Sequence, residues 1–76
     1  MRAVHLRRID AARNMARYYA LDVQPTLFGE WALMREWGRI GQGGQQRVAV
    51  YGTEGEAAAA LDRQRRVKER RGYRSR

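Results

Sequence analysis

A tryptophan and an arginine separated by one glycine, Trp37-Gly38-Arg39, are the residues of this sequence best suited to specific chemistry. Side chains two positions apart in a β-strand point to the same face, so Trp37 and Arg39 would project together, roughly 6.6–7 Å apart. An indole packs on a sugar or base, and a guanidinium binds phosphate through paired hydrogen bonds. Gly38 leaves room for another backbone segment to approach. The pattern suits a nucleotide-binding surface; the structural alternative is a core tryptophan beside a solvated arginine.

Positive charge is the second feature that indicates a polyanionic partner. The 76 residues contain 16 Lys and Arg against eight Asp and Glu, a formal net charge of +8. Residues 1–52 carry a net +4, residues 53–62 a net −3 and residues 63–76 a net +7. Fifteen of the cations are Arg, whose fork suits phosphate, although a GC-rich genome would also enrich arginine. The charge favours DNA, RNA or another anionic surface as partner.

The residue types offer little for catalysis, metal binding or membrane insertion. His5 is the only histidine, Ser75 is the only serine, and cysteine is absent, so we expect no enzyme, no metal site, no cofactor and no disulfide. No apolar run approaches the ~18 residues of a membrane span, and the helix predicted below has mostly alanine on its apolar face. We therefore expect no membrane partner and, with no cysteine, a cytoplasmic location.

Four strand patterns followed by one helical pattern must position these residues. Strands are predicted over residues 4–10, 15–23, 31–40 and 46–51, with short connections typical of an antiparallel meander. The glycine-rich residues 41–44 predict a tight turn. We expect one α+β domain over residues 1–76, a small antiparallel sheet of about four strands with one C-terminal α-helix packed on it. The seven aromatic side chains should provide much of the core.

The predicted helix has recognisable ends and a divided face. Thr53 and Glu56 fit a capping box, and Gly72 stands where a helix that ends near Arg71 would need a glycine. Helical spacing places one set of residues on a common face, apolar in its first half and polar in its second: Ala57, Ala60, Leu61, Gln64, Lys68 and Arg71. Either the helix extends past the sheet, or its end faces a polar cleft that holds an anion.

Three segments together resemble the WGR domain family. Residues 37–45 are similar to the pattern WGR-x-G-x-x-G-Q, and residues 17–19, Arg-Tyr-Tyr, resemble the family's charged-aromatic-aromatic strand. Residues 68–73 are similar to the Lys-x-x-x-Gly-Tyr close of bacterial members. The resemblance covers essentially the whole chain and implies a small antiparallel sheet with one packed helix. It also implies a role in nucleic-acid binding.

The resemblance further implies roles for individual residues. In DNA-damage-dependent poly(ADP-ribose) polymerases the domain sits on DNA near a strand break, which implies that Trp37 packs on a terminal ribose and Arg39 binds phosphate. Lys68 is implied as a further phosphate contact, and Asn14 is a looser match to an Asn-rich approach to the second strand. Because 76 residues leave no room for a catalytic domain, we expect a stand-alone bacterial binding module.

These considerations predict a DNA-binding module that favours ends, nicks or 5′-phosphates, through Trp37, Arg39 and the basic end of the helix. Two alternatives stay open, a regulatory adaptor with an acidic protein partner and an RNA-binding module. The oligomeric state is not predicted. The predicted nucleic-acid-binding residues are Asn14, Trp37, Gly38, Arg39, Gln45, Arg47, Lys68, Arg71 and Tyr73.

Overall fold

Five β-strands and one α-helix form the part of the chain that the computed structural model describes, residues 2–75. The elements are β1 (Arg2–Asp10), β2 (Met15–Pro25), β3 (Trp31–Arg39), β4 (Gln45–Tyr51), α1 (Glu54–Arg70) and β5 (Arg74–Ser75), with a 3₁₀ turn at Ala11–Arg13. The strands form one sheet in the order β4-β3-β2-β1-β5, with antiparallel neighbours. The α+β prediction is confirmed, and the short β5 adds a strand to the predicted four.

Both predicted ends of α1 are present. The Glu56 N–H donates to Thr53 Oγ1 at 3.1 Å, and the Thr53 hydroxyl donates to Glu56 Oε1 at 3.1 Å, so Thr53 is the N-cap. Gly72 follows the helix with φ +98°, a left-handed conformation that favours glycine. Within residues 2–75, no helix has the length and hydrophobicity needed to cross a membrane.

The core lies between α1 and one face of the sheet. Side chains from β1, β2 and β3 meet the helix and Tyr73 there, and the buried members are Leu6, Tyr19, Leu21, Val23, Leu33, Ala57, Ala60, Leu61 and Tyr73. Ala57 and Ala60 bring the helix close to the strands because a methyl group occupies little depth. Of the seven aromatics expected to provide much of the core, five belong to it or pack against it: Tyr19, Trp31, Trp37, Tyr51 and Tyr73. Phe28 is 86% exposed in the loop between β2 and β3, and Tyr18 is outside the core cluster.

The helix covers only part of this face. Its buried side chains end at Leu61, while Gln64 and Lys68, one and two turns later, lie above an end of the sheet that carries polar side chains. At that end β3 presents Trp37 and Arg39 on the same face as buried Leu33, because side chains alternate along a strand. The fold therefore places the Trp-Gly-Arg motif beside the basic half of the helix.

Candidate nucleic-acid interface

Trp37 is half-buried at the centre of an aromatic cluster on the helix side of the sheet. Its cross-strand neighbour is Tyr19, and the two rings are near-parallel, 16° apart, with centroids 5.9 Å apart. Tyr73 meets Tyr19 edge-on, with centroids 6.2 Å apart. Both geometries are favourable for aromatic pairs. The indole is thus fixed by packing and still reaches solvent, so both readings of Trp37, as core residue and as surface residue, hold in part.

Two open clefts meet at Trp37. The first, which we call the Arg35 cleft, has a volume of about 390 Å³ and is lined by Tyr19, Arg35, Trp37, Arg47, Gln64 and Lys68. The second, the Arg39 cleft, has a volume of about 380 Å³ and is lined by Arg17, Tyr19, Trp37, Gly38, Arg39, Lys68 and Tyr73. Trp37, Tyr19 and Lys68 belong to both. The indole therefore separates two basic clefts along one strand.

Lys68 projects from the helix over the aromatic cluster. Its Nζ lies 4.5 Å from the centroid of the Tyr19 ring and 5.8 Å from that of Tyr73, a cation–π arrangement. Burial, followed by the positive charges of Arg71 and Arg35, lowers the pKa of Lys68 below that of an ordinary lysine. An anion in either cleft would favour the charged form of Lys68 and offset the repulsion from Arg71 and Arg35. Lys68 and Gln64 therefore face a polar cleft. This is one of the two alternatives that the sequence leaves open for the end of the helix.

Arg39 is held in place by Asn14, which immediately precedes β2. The Arg39 guanidinium donates to the Asn14 carbonyl oxygen at 3.1 Å and to its side-chain Oδ1 at 3.4 Å. Asn14 has φ 52°, a left-handed conformation that asparagine tolerates better than most residues. Asn14 lies outside both clefts and orients a residue that lines one of them. Its predicted place in the binding surface is therefore indirect.

The backbone of Gly38 lines the Arg39 cleft. On the other face of the sheet, the turn that follows β3 lies close to Gly38. A Cβ on Gly38 would lie 2.9 Å from Gly44 Cα and 3.5 Å from the Tyr18 ring. The predicted approach of another backbone segment is thus present: the turn that follows β3 folds back over it. A side chain at this position would displace the turn and the strand that holds Trp37 and Arg39.

The structure brings six predicted residues to the two clefts and leaves three outside. Those at the clefts are Trp37, Gly38, Arg39, Arg47, Lys68 and Tyr73. Besides Asn14, the outsiders are Gln45, which is exposed opposite Trp37 on β4, and Arg71, which caps the C-terminus of the helix. Of the cations that the structure describes in the basic end of the helix, only Lys68 lines a cleft.

Four cleft residues were not among the predicted binding residues: Arg17, Tyr19, Arg35 and Gln64. Arg35 precedes Trp37 by two positions, so the alternation that paired Trp37 with Arg39 would also have identified it. Arg17 is the cross-strand neighbour of Arg39, and Gln64 lies one turn before Lys68. Arg17 and Tyr19, which pairs with Trp37, could be placed at the clefts only with knowledge of the register between strands.

Comparison with known proteins gives a family match over nearly the whole chain. The WGR domain model matches residues 2–76. A protein of Sinorhizobium fredii (strain NBRC 101917 / NGR234), described as "Uncharacterized protein y4dW", is 47% identical over 73 residues. That match covers 96% of this chain and 36% of the relative, so the chain spans about a third of the relative's length. No solved structure matches the chain.

Proposed function

The chain belongs to the WGR domain family, a type of nucleic-acid-binding module, and from this we propose that it binds DNA with a preference for ends, nicks or 5′-phosphates. The observation that carries the proposal is the position of Trp37: half-buried on Tyr19, open to solvent, and bordered by a basic cleft on each side. Stacking and phosphate binding are thereby available at one place.

The exposure of the Trp37 indole between two basic clefts supports the proposed preference for ends. In a continuous duplex each sugar is flanked by stacked nucleotides on both sides, which limit access to it. At an end or a nick the terminal sugar is accessible, so the exposed part of the Trp37 indole can pack against it while Arg39 and Arg17 bind the adjoining phosphate. Arg39 is already oriented by Asn14, so binding immobilises little additional side-chain freedom there.

The test is a salt titration of binding to closed circular duplex, linear duplex, single-stranded DNA and RNA. We expect tighter binding to linear than to closed duplex, and an affinity that falls with salt at a log–log slope of about −0.9 per phosphate contacted. Trp37→Ala should reduce the preference for ends, whereas Phe28→Ala, which removes an exposed aromatic from a distant loop, should not. Equal binding to linear and closed duplex would contradict the preference for ends.

Two other results would favour a different function over DNA binding. Tighter binding to RNA than to any DNA form would favour the RNA-binding alternative. Salt-insensitive binding, together with capture of an acidic protein that survives nuclease treatment, would favour the adaptor alternative.

A further inference from the structure

We infer that a second copy of this chain pairs with the outer edge of β4, so that two sheets join into one across a two-fold axis. The two β4 strands run antiparallel, with Ala49 of one copy opposite Ala49 of the other. The association goes beyond the proposed function, because it uses the edge of the sheet and needs no nucleic acid.

The outer edge of β4 is open along the whole strand. β4 is the last strand of the sheet, and among residues 2–75 no loop, cap or further strand bonds to its backbone on the outer side. An edge with unpaired N–H and C=O groups is a template for another strand. Every residue of β4 pairs with β3 in unbroken register, so no bulge turns this edge away from a partner.

The opposite edge of the sheet is better protected. There β5 covers β1 at Leu6 and Arg7, and β5 is itself only two residues long. β1 also carries arginine at positions 2, 7 and 8. Short edge strands and charged side chains both discourage edge pairing. β4 has neither defence to the same degree, because its seven residues include one charged side chain, Arg47, and no proline.

Two exposed valines make β4 complementary to a copy of itself. Val48 and Val50 are 58% and 52% exposed on the face of the sheet away from the helix. In an antiparallel pair centred on Ala49, each Val48 lies opposite Val50 of the other copy, so the four valines meet in two cross-strand pairs. Centring on Val48 would instead place Val50 opposite Gln46. The register at Ala49 therefore removes more apolar surface from water.

The charge on β4 favours the same register. Arg47 already lies opposite Arg35 on β3. A pair centred on Arg47 would add a second Arg47 to that row, and like charges directly opposite each other destabilise a sheet. Centring on Ala49 places Arg47 opposite Tyr51 of the other copy, where a guanidinium can lie against the phenol ring. In this register no two charged side chains of the β4 strands face each other.

The first experiment measures the mass of the protein in solution without nucleic acid. Only residues 47–51 of each copy pair, which is a small interface, so we expect a weak dimer whose fraction rises with protein concentration in sedimentation equilibrium. Val48→Lys/Val50→Lys should abolish that rise. The matched control Ile9→Lys/Leu27→Lys adds the same charge at exposed apolar positions away from β4 and should keep it.

The second experiment uses the absence of cysteine from the sequence. Ala49→Cys should be joined to a second copy by a short thiol-reactive cross-linker, because the two residues are directly opposite each other. Gln45→Cys should not, because its counterpart in the other copy would be eight residues along the strand, roughly 26 Å away. This comparison decides the matter if Val48→Lys/Val50→Lys fails to fold.

Three outcomes overturn the inference. They are a wild-type protein that stays monomeric at every concentration, a rise in mass that survives Val48→Lys/Val50→Lys in the folded state, and equal cross-linking at positions 45 and 49. Because these measurements contain no DNA, their failure leaves the proposed function standing. The comparison of linear with closed circular duplex tests that function separately.

Discussion

At the scale of single residues, the candidate interface depends on side chains that are held before any ligand arrives. Tyr19 supports the indole of Trp37, and Asn14 fixes the guanidinium of Arg39. Such preorganisation reduces the ordering that binding must otherwise impose. Asn14 combines a left-handed backbone with a hydrogen bond across 25 positions of sequence, so its contribution depends on two separable properties.

Substitutions at Asn14 should separate those properties. Asn14→Gly keeps the left-handed backbone and its carbonyl contact to Arg39 but loses the Oδ1 contact, so we expect near-normal stability and weaker DNA binding. Asn14→Ala also strains the backbone and should cost roughly 1–2 kcal/mol in the free energy of unfolding. Thermal or denaturant unfolding and DNA titrations measure both effects. Unchanged DNA affinity in Asn14→Gly, with intact folding, would show that the Oδ1 contact to Arg39 does not contribute to binding.

Lys68 should make binding sensitive to pH. Its pKa is below the ordinary lysine value in the free protein, and a bound phosphate favours its charged form, so affinity should fall as pH rises from neutral into the alkaline range. Lys68→Arg stays charged over that range and should flatten the profile. Fluorescence anisotropy at constant ionic strength provides the measurement. A profile of the same shape in Lys68→Arg would assign the pH dependence to another group.

At the scale of elements, the division of α1 into two halves creates the clefts. Ala57, Ala60 and Leu61 pack against the sheet, whereas Gln64 and Lys68 stand over strands that carry arginine. The helix thus anchors itself with one half and presents the other to the interface. Local contacts at Thr53 and Gly72 stabilise its two ends. Thr53 lies outside both clefts at Trp37.

Thr53→Ala should therefore affect stability without affecting recognition. Loss of the N-cap removes the acceptor for the Glu56 N–H and should lower the free energy of unfolding by about 1 kcal/mol. DNA affinity at a temperature where the variant is folded should match that of the wild type. A loss of affinity there would mean that the cap also sets the position of the second half of the helix.

Much of the secondary structure could be predicted from the sequence alone, whereas contacts between distant segments could not. The strands, the caps and the common face of Trp37 and Arg39 follow from alternation and from local capping chemistry. The two-residue β5 is too short to have a period, and the Arg35–Arg47 opposition and the Asn14–Arg39 contact depend on register between distant segments. The strand patterns already place Phe28 in the connection between the second and third strands, so counting it toward the core by residue type alone was the error.

At the scale of the whole molecule, the two faces of the sheet have different characters. The helix face carries the aromatic cluster and the basic clefts. On the opposite face, Tyr18 donates to Glu36 at 2.9 Å, and Val48 is 58% exposed. A net charge of +8 favours association with a polyanion, and the basic clefts concentrate part of that charge on the helix face. The proposed function therefore requires that the end of a DNA strand meet Trp37 on the helix face.

Tryptophan fluorescence tests that claim most directly. Trp31 lies at the other end of β3, so Trp31→Phe leaves Trp37 as the only indole in the sequence. We predict that its emission changes and saturates as short linear duplex is added, and that closed circular duplex at the same base-pair concentration produces little change. An equal response to both forms, or no response while anisotropy reports binding, would contradict contact between Trp37 and a DNA end.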